Sequence, residues 1–387
     1  MAIGSKGKIM QTLSNRRNKT ESFFEDLDYR LLVPVVIMTV IGLYVMNLVL
    51  QAGYGAGSYP ANFYKQTGAV VMGLLLALLV TLIDYPTLKL LSWLVYAVAL
   101  LLLIYVKVDN FSLAATTGAD SWIILPIVGS FQPSELAKVG ISMVGAHYFD
   151  RMKRGEIPYL RGFFSLALIY GIPVFLIYKE PDLGTSTVII FMFLVTLFIW
   201  GLPARFIVAL GLLGVLFIFV LWNFSFSPYM KNRVLALLFP AQGLSESYHL
   251  EQALQAIGSG GLLGNRGEVH VYVPVKESDF IYSAIGEHLG WIGTTTLLIV
   301  IAIYLVRAVQ VAHRAEGHDY YASYLMMALV ASQLIHFVEN MGMNVGLLPI
   351  TGIPLPFISS GGTAMIVNFF ALGLMLNISM EFKDYVN

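Results

Sequence analysis

Nine runs of apolar residues, near 31–50, 67–83, 86–106, 164–179, 184–202, 204–222, 282–306, 322–345 and 362–380, approach or exceed the length of about 20 residues at which a helix crosses a bilayer. Hydrocarbon offers the backbone no hydrogen bonds, so such runs must satisfy their own N–H and C=O groups as helices. With 57% hydrophobic and 12% charged residues among 387, the chain has too little polar surface to cover a soluble particle of its size. The fold class expected is an all-α polytopic membrane protein.

Charge sets the number of spans and their direction. A tenth run, near 135–149, is short and opens on Ser134-Glu135-Leu136-Ala137-Lys138. Counting it, with the N-terminus inside, puts fifteen of the 23 Lys and Arg on the cytoplasmic side, as the excess of positive charge on that side requires. Omitting it would carry Arg151, Lys153, Arg154 and Arg161 into an outer loop. The expected layout is a cytoplasmic tail at 1–30, a single ten-span domain at 31–381 and a cytoplasmic tail at 382–387. A large extracytoplasmic loop at 223–281 separates spans 7 and 8. The first tail lacks the apolar core of a cleavable signal, so the first span is expected to stay as an anchor.

Several functions are disfavoured. The formal net charge is zero and there is no cysteine, so nothing points to a nucleic-acid partner or a thiolate metal site. Neither a Walker loop nor a dinucleotide fingerprint occurs, and no internal repeat of the kind seen in many secondary transporters is present. A loop as long as 223–281 is usually functional. Facing outward, it is cut off from nucleotide pools and must use a preactivated substrate.

Ionisable groups at membrane depth cost about 2.5–3.5 kcal/mol each and need a partner or water. Glu135 and Lys138 lie three apart on one helical face and can neutralise each other. They either let a short helix insert or wall a cavity in which Lys138 binds an anion. The loop ends in Glu277-Ser278-Asp279-Phe280, where Asp279 suits an N-cap of the next span and equally a catalytic acid. Asp182, in Glu180-Pro181-Asp182-Leu183, has the same two readings. The glycine-dense run 256–267 can turn N–H groups toward a phosphate with Arg266 as counter-charge, or simply make a turn. Arg233 and Lys231 serve as phosphate contacts or as headgroup anchors. Gln333, His336, Asn340 and Asn344 form a polar stripe that packs against helices or lines a cavity. The prolines and glycines of 346–362, a segment that includes Ser359, forbid a regular helix, and such backbone at membrane depth is expected to wall a pocket.

Six motifs occur in a telling order: Gly118-Ala119 with Trp122; Phe131-Gln132-Pro133-Ser134-Glu135 through Lys138; Pro181-Asp182-Leu183-Gly184-Thr185; Tyr248, Gln252 and Ala256 through Gly261; Ser278-Asp279-Phe280-Ile281 with Gly286-Glu287 and Leu289-Gly290; and Asn340 to Gly362. Together they resemble the SEDS family of cell-wall proteins (shape, elongation, division and sporulation), its elongation branch above all, over essentially the whole chain after the tail. The resemblance implies a ten-span peptidoglycan glycosyltransferase in the bacterial plasma membrane, with both termini cytoplasmic. Its substrate would be lipid II, the undecaprenyl-pyrophosphate-linked disaccharide peptide, polymerised at the outer face. Asp279 falls on the family's essential loop acid, and Glu135 and Lys138 on its cavity pair. The implied partners are a class B penicillin-binding transpeptidase and other elongation-complex membrane proteins. Four positions depart from the family pattern: Ser121 for Arg, Val275 for the Glu after proline, His288 for a second Glu, and Ser360 for Tyr.

On this reading Asp279 acts as general base on the acceptor GlcNAc 4-OH, while Lys138, Arg233 and Arg266 neutralise the departing diphosphate. Asp182, Asn340 and Ser359 are further substrate-binding candidates. No cofactor is obligatory, although a divalent cation, Mg or Mn, held by Asp279 or Glu135 would do the same neutralising work. The competing reading is a lipid II flippase, which a charged cavity and a broken segment also suit. A carrier has no need for a large outer loop with one well-placed acid.

Overall fold

The computed structural model describes residues 23, 25–54, 61–108, 121–125, 129–180, 182–224, 226, 228–239, 245–265 and 270–383. In chain order its helices are α1 (Tyr29–Tyr54), α2 (Ala61–Thr81), α3 (Tyr85–Val108), α4 (Pro133–Lys153), α5 (Tyr159–Tyr178), α6 (Leu183–Trp200), α7 (Ala204–Phe224), α8 (Pro228–Leu238), α9 (Ser245–Ser259), α10 (Ile281–Glu316), α11 (Tyr320–Asn344) and α12 (Gly362–Glu381). A small antiparallel hairpin, β1 (Ile123–Leu125) and β2 (Gly129–Phe131), pairs Ile124 with Ser130 ahead of α4.

All of these helices except α4, α8 and α9 are long and apolar enough to cross a membrane, which makes nine among the described residues. They coincide with the nine apolar runs. The short tenth run is α4, a 21-residue helix that extends about 31 Å at 1.5 Å per residue. Almost every side chain along it is buried, Ser134, Glu135, Lys138 and Ser142 included. Protein, not lipid, surrounds it, so its sequence need not be apolar and hydropathy ranks it low. At the other extreme, α7 has the most apolar window of the nine and buries none of it inside the protein.

One apolar core runs from Leu27 to Phe382. In it α4 packs between α3 and α11, α12 lies along α2, and α10 lies against α1 and α11. Small residues bring the backbones close. A side chain at Gly373 would strike the Ala77 backbone, and one at Gly140 would strike Tyr96.

The outer segment 223–281 carries α8 and α9. Ala253 and Ala256, three apart on one face of α9, pack against Val273 and Phe280. The glycine run after α9 then lies on the first turns of α10. A Cβ at Gly260 would collide with the Gly286 carbonyl, while Gly264 and Gly290 take φ of +94° and +63°. Asn265 N–H donates to the Glu287 carbonyl at 2.6 Å and Trp291 N–H to that of Gly261 at 3.0 Å. The amides of Gly260, Gly264 and Asn265 thus donate inside the protein, so this backbone serves close packing where the sequence also allowed an anion cradle. Arg266, its expected counter-charge, lies outside the described residues, as do Gly118 and Ala119.

Candidate active site

The site is hung on α11. Each member of its polar stripe has a partner on another element. Gln333 accepts from the Tyr304 hydroxyl at 2.6 Å, and His336 Nε2 meets Lys138 Nζ at 2.6 Å. Asn340 Nδ2 donates to the carbonyls of Asp279 at 2.9 Å and Ile353 at 2.8 Å. Asn344 Nδ2 donates to the same Asp279 carbonyl at 3.0 Å, and its Oδ1 accepts from Ser283 N–H at 3.0 Å. Packing accounts for the stripe at His336, Asn340 and Asn344, while Gln333 also lines a small cavity. Since His336 and Asn340 are one helical turn apart, about 6 Å along the axis, α11 brings Lys138 and Asp279 to successive turns.

Asp279 is not an N-cap. Phe280 flanks α10 and no side chain caps it. The carboxylate instead accepts from the Ser278 hydroxyl at 3.1 Å through Oδ1. Its Oδ2 lies 3.6 Å, and Arg233 Nη2 3.8 Å, from the point where a Cβ would stand on Gly352, whose φ is +74°. A carboxylate oxygen of Asp279 and a guanidinium nitrogen of Arg233 therefore both lie against Gly352. Arg233 is held there by Nη1, which donates to the Thr351 carbonyl at 3.0 Å. Burial raises the Asp279 carboxyl above its ordinary range; Ser278 and Arg233 pull it down and Glu277 pushes it up.

The irregular segment before α12 forms the floor. Ser359 Oγ donates to the Ser278 carbonyl at 2.7 Å and accepts from Leu355 N–H at 2.8 Å. Ser360 N–H donates to the Glu277 carbonyl at 2.9 Å. From α2, Gln66 Nε2 donates to the Ser359 carbonyl and its Oε1 accepts from Gly361 N–H, each at 3.0 Å. Ser359 and Asn340 therefore hold the backbone on either side of Asp279. These bonds hold 346–362 against the segment that carries Asp279.

Glu135 and Lys138 pair at 2.8 Å, both buried. They line, with Gln333 and Asn368, a cavity of about 20 Å³, room for roughly one water. Asp182 does cap its helix: it accepts from Thr185 N–H at 2.9 Å, Thr185 Oγ1 at 2.7 Å and Gln132 Nε2 at 3.2 Å. Burial raises its carboxyl, against Thr185 and Lys138, which lower it. Among the described residues, no trio of metal-ligating side chains includes Asp279 or Glu135. Sequence reasoning named Thr351 and Gly352 only as part of the segment 346–362, and passed over Gln66 and Glu339, whose buried Oε2 has no hydrogen-bond partner. Glu339 stands next to Asn340 of the polar stripe and was open to notice as an acid within a span.

The sequence matches the FtsW/RodA/SpoVE family model, described as cell cycle protein, over residues 27–384. It is 32% identical over 363 residues to the peptidoglycan glycosyltransferase MrdB of Escherichia coli strain K12, covering 90% of this chain and 94% of that protein. The fold is similar to a chain of a solved peptidoglycan synthase complex that coordinates polymerization and crosslinking, with a TM-score of 0.77, 27% identity and coverage of 92% of this chain and 98% of that one. It is also similar to the rod shape determining protein RodA of Thermus thermophilus, with a TM-score of 0.66, 27% identity and coverage of 92% and 97%.

Proposed function

The chain belongs to the FtsW/RodA/SpoVE family, and from that premise we propose that it is a multi-pass membrane peptidoglycan glycosyltransferase that polymerises lipid II during cell elongation, with Asp279 as its general base. The observation that carries this assignment of roles is the approach of a carboxylate oxygen of Asp279 and a guanidinium nitrogen of Arg233 to the same point at Gly352. A base and a cation side by side are what glycosyl transfer from a diphosphate needs.

The acceptor sugar's 4-OH attacks the anomeric carbon of the donor. As the new C–O bond forms, the bond from that carbon to the lipid diphosphate breaks and the hydroxyl proton passes to Asp279. Burial supports this role, because a carboxylate raised above its usual range is a stronger base. Arg233 takes up negative charge on the leaving diphosphate, and Lys138, one turn of α11 away, extends the positive wall. Asn340, Asn344 and Ser359 fix the backbone of 278–279 so that the carboxylate is aligned before substrate arrives. A Mg or Mn ion, if bound, would be held by Asp279 together with diphosphate oxygens, since hard cations prefer such ligands. Its chemistry would be neutralisation of the leaving group. Glu135 is less available for it, being paired with Lys138.

The outer loop faces the extracytoplasmic side in this reading, and both termini are cytoplasmic. The similarity to a synthase complex that couples polymerization to crosslinking supports a class B penicillin-binding transpeptidase as partner. Polymerisation of purified lipid II by the protein with its transpeptidase, comparing wild type with Asp279→Asn at matched folding, tests the assignment. Glycan strands from wild type and none from the variant support it. Full activity in the variant would remove Asp279 as base, and lipid II transport without polymerisation by either protein would favour the flippase.

A further inference from the structure

Away from Asp279, the outer loop assembles a second cluster of ligating side chains. His270, Glu287 and His288 bring their ligand atoms within 4.8 Å of one another. Glu287 is fully buried. The Nδ1 of His270 stands 3.6 Å from Glu287 Oε1, and this buried nitrogen has no hydrogen-bond partner. A buried ring nitrogen left beside a carboxylate at that distance carries a desolvation cost that nothing offsets. A cation shared with the carboxylate would give this nitrogen a partner. Two imidazoles and one carboxylate suit a borderline cation such as Zn2+, whereas Mg and Ca ask for oxygen alone.

We propose that His270, Glu287 and His288 form a Zn2+-type transition-metal site that clips the outer loop to the start of α10, separate from any Mg or Mn ion at Asp279. Ligands around tetrahedral zinc stand about 3.3 Å apart, so the three side chains need to close by up to about 1.5 Å. The fourth position falls to water.

Lys276 competes for this site. Its ammonium ion-pairs with Glu287 Oε2 and donates to the Val271 carbonyl at 2.9 Å, while Val271 N–H donates to Glu287 Oε1 at 2.8 Å. A divalent ion and an ammonium on one buried carboxylate repel each other, so binding of the metal weakens the hold on Lys276. Lys276 belongs to the turn in which the Val275 carbonyl accepts from the N–H groups of Ser278 and Phe280. Exchange of ammonium for metal therefore acts on the segment that carries Asp279. The site uses His288, one of the four positions that depart from the family pattern.

The test uses untagged full-length protein in detergent, stripped with EDTA and titrated with Zn2+ against a chromophoric indicator in excess Mg2+. One equivalent of Zn2+ is expected to bind with a Kd of about 1 μM or tighter, weakened at least tenfold in both His270→Gln and His288→Gln. Each variant is checked for wild-type circular dichroism, and His313→Gln, at the far end of α10, is expected to bind as wild type. In Lys276→Met the affinity should rise about tenfold, because the competing charge is gone. No binding at about 100 μM Zn2+ overturns the site, as does binding that survives both histidine variants or falls equally in His313→Gln. Unchanged affinity in Lys276→Met overturns the competition.

Discussion

At the scale of the residue, the environment of Asp279 is a balance in which burial outweighs Ser278 and Arg233. A base works only when ionised, so activity is lost as pH falls through its raised pKa, which lies above the model-peptide Asp value of about 3.9. Because the Arg233 charge lowers that pKa, Arg233→Gln should move the acid limb of kcat/KM for lipid II polymerisation to higher pH as well as slow the reaction. A limb that stays where it is would separate Arg233 from the base. Lys138 needs a different design. Removing it alone strands Glu135 as a buried charge, at a cost of about 3–5 kcal/mol. Lys138→Met is therefore expected to lower thermal stability, and the double variant Glu135→Gln with Lys138→Met to recover most of it. If Lys138 contacts the diphosphate, polymerisation stays lost in the stable double variant. Recovered activity would reduce the pair to a structural one.

At the scale of the element, α11 joins the two halves of the site, and Asn340 is its central contact. Asn340→Ala leaves the Ile353 carbonyl without this donor and the Asp279 carbonyl with only Asn344, at a stability cost of about 1–3 kcal/mol. Because the backbone of 279 loosens, kcat should fall more than KM rises; an effect on stability alone would confine Asn340 to folding. The stripe shows which parts of such elements a sequence can announce. Gln333, His336, Asn340 and Asn344 were legible as one face, because helical spacing is local. Their partners on 138, 279, 304 and 353 were not, because those contacts are made by tertiary packing. The spans stood out wherever lipid surrounds the helix, and α4 showed itself only through flanking charge because protein surrounds it. The helices α8 and α9 were hidden in a polar loop, since what orders α9 is packing of Ala253 and Ala256 against Phe280. Asp279 was legible as an acid at the mouth of a span, but a cap and a base have the same local sequence. The glycine run was ambiguous for a like reason: close backbone packing and anion binding ask for the same residue.

At the scale of the whole molecule, charge and chemistry sit at opposite ends. Asp319, at the start of α11, takes Tyr85 at 3.0 Å, Lys89 at 3.5 Å and Arg154 at 3.3 Å. Asp28 pairs with Arg307 at 2.9 Å and accepts from Ser379 at 2.6 Å. These networks tie together the ends of α1, α3, α4, α10, α11 and α12. The site lies at the other end, because α10, kinked at Gly290, leads from beside Asp279 to Glu316, and α11 returns from Asp319 to Asn344. The excess of Lys and Arg at the network end is the ground for the proposed orientation, in which that end is cytoplasmic and Asp279 lies outside, where a lipid-linked and already activated sugar would be the donor. The chain contains no cysteine, so a single introduced one reports its own side. Glu156 is half exposed in the turn after α4, and Tyr272 is 71% exposed in the outer loop. A membrane-impermeant maleimide should label Tyr272→Cys in intact spheroplasts and Glu156→Cys only after permeabilisation. The reverse pattern would mean that α4 does not cross the bilayer, would put Asp279 in the cytoplasm and would defeat polymerisation at the outer face. Labelling of both without permeabilisation would mean that one of α5, α6 and α7, the three spans between the two positions, does not cross the bilayer.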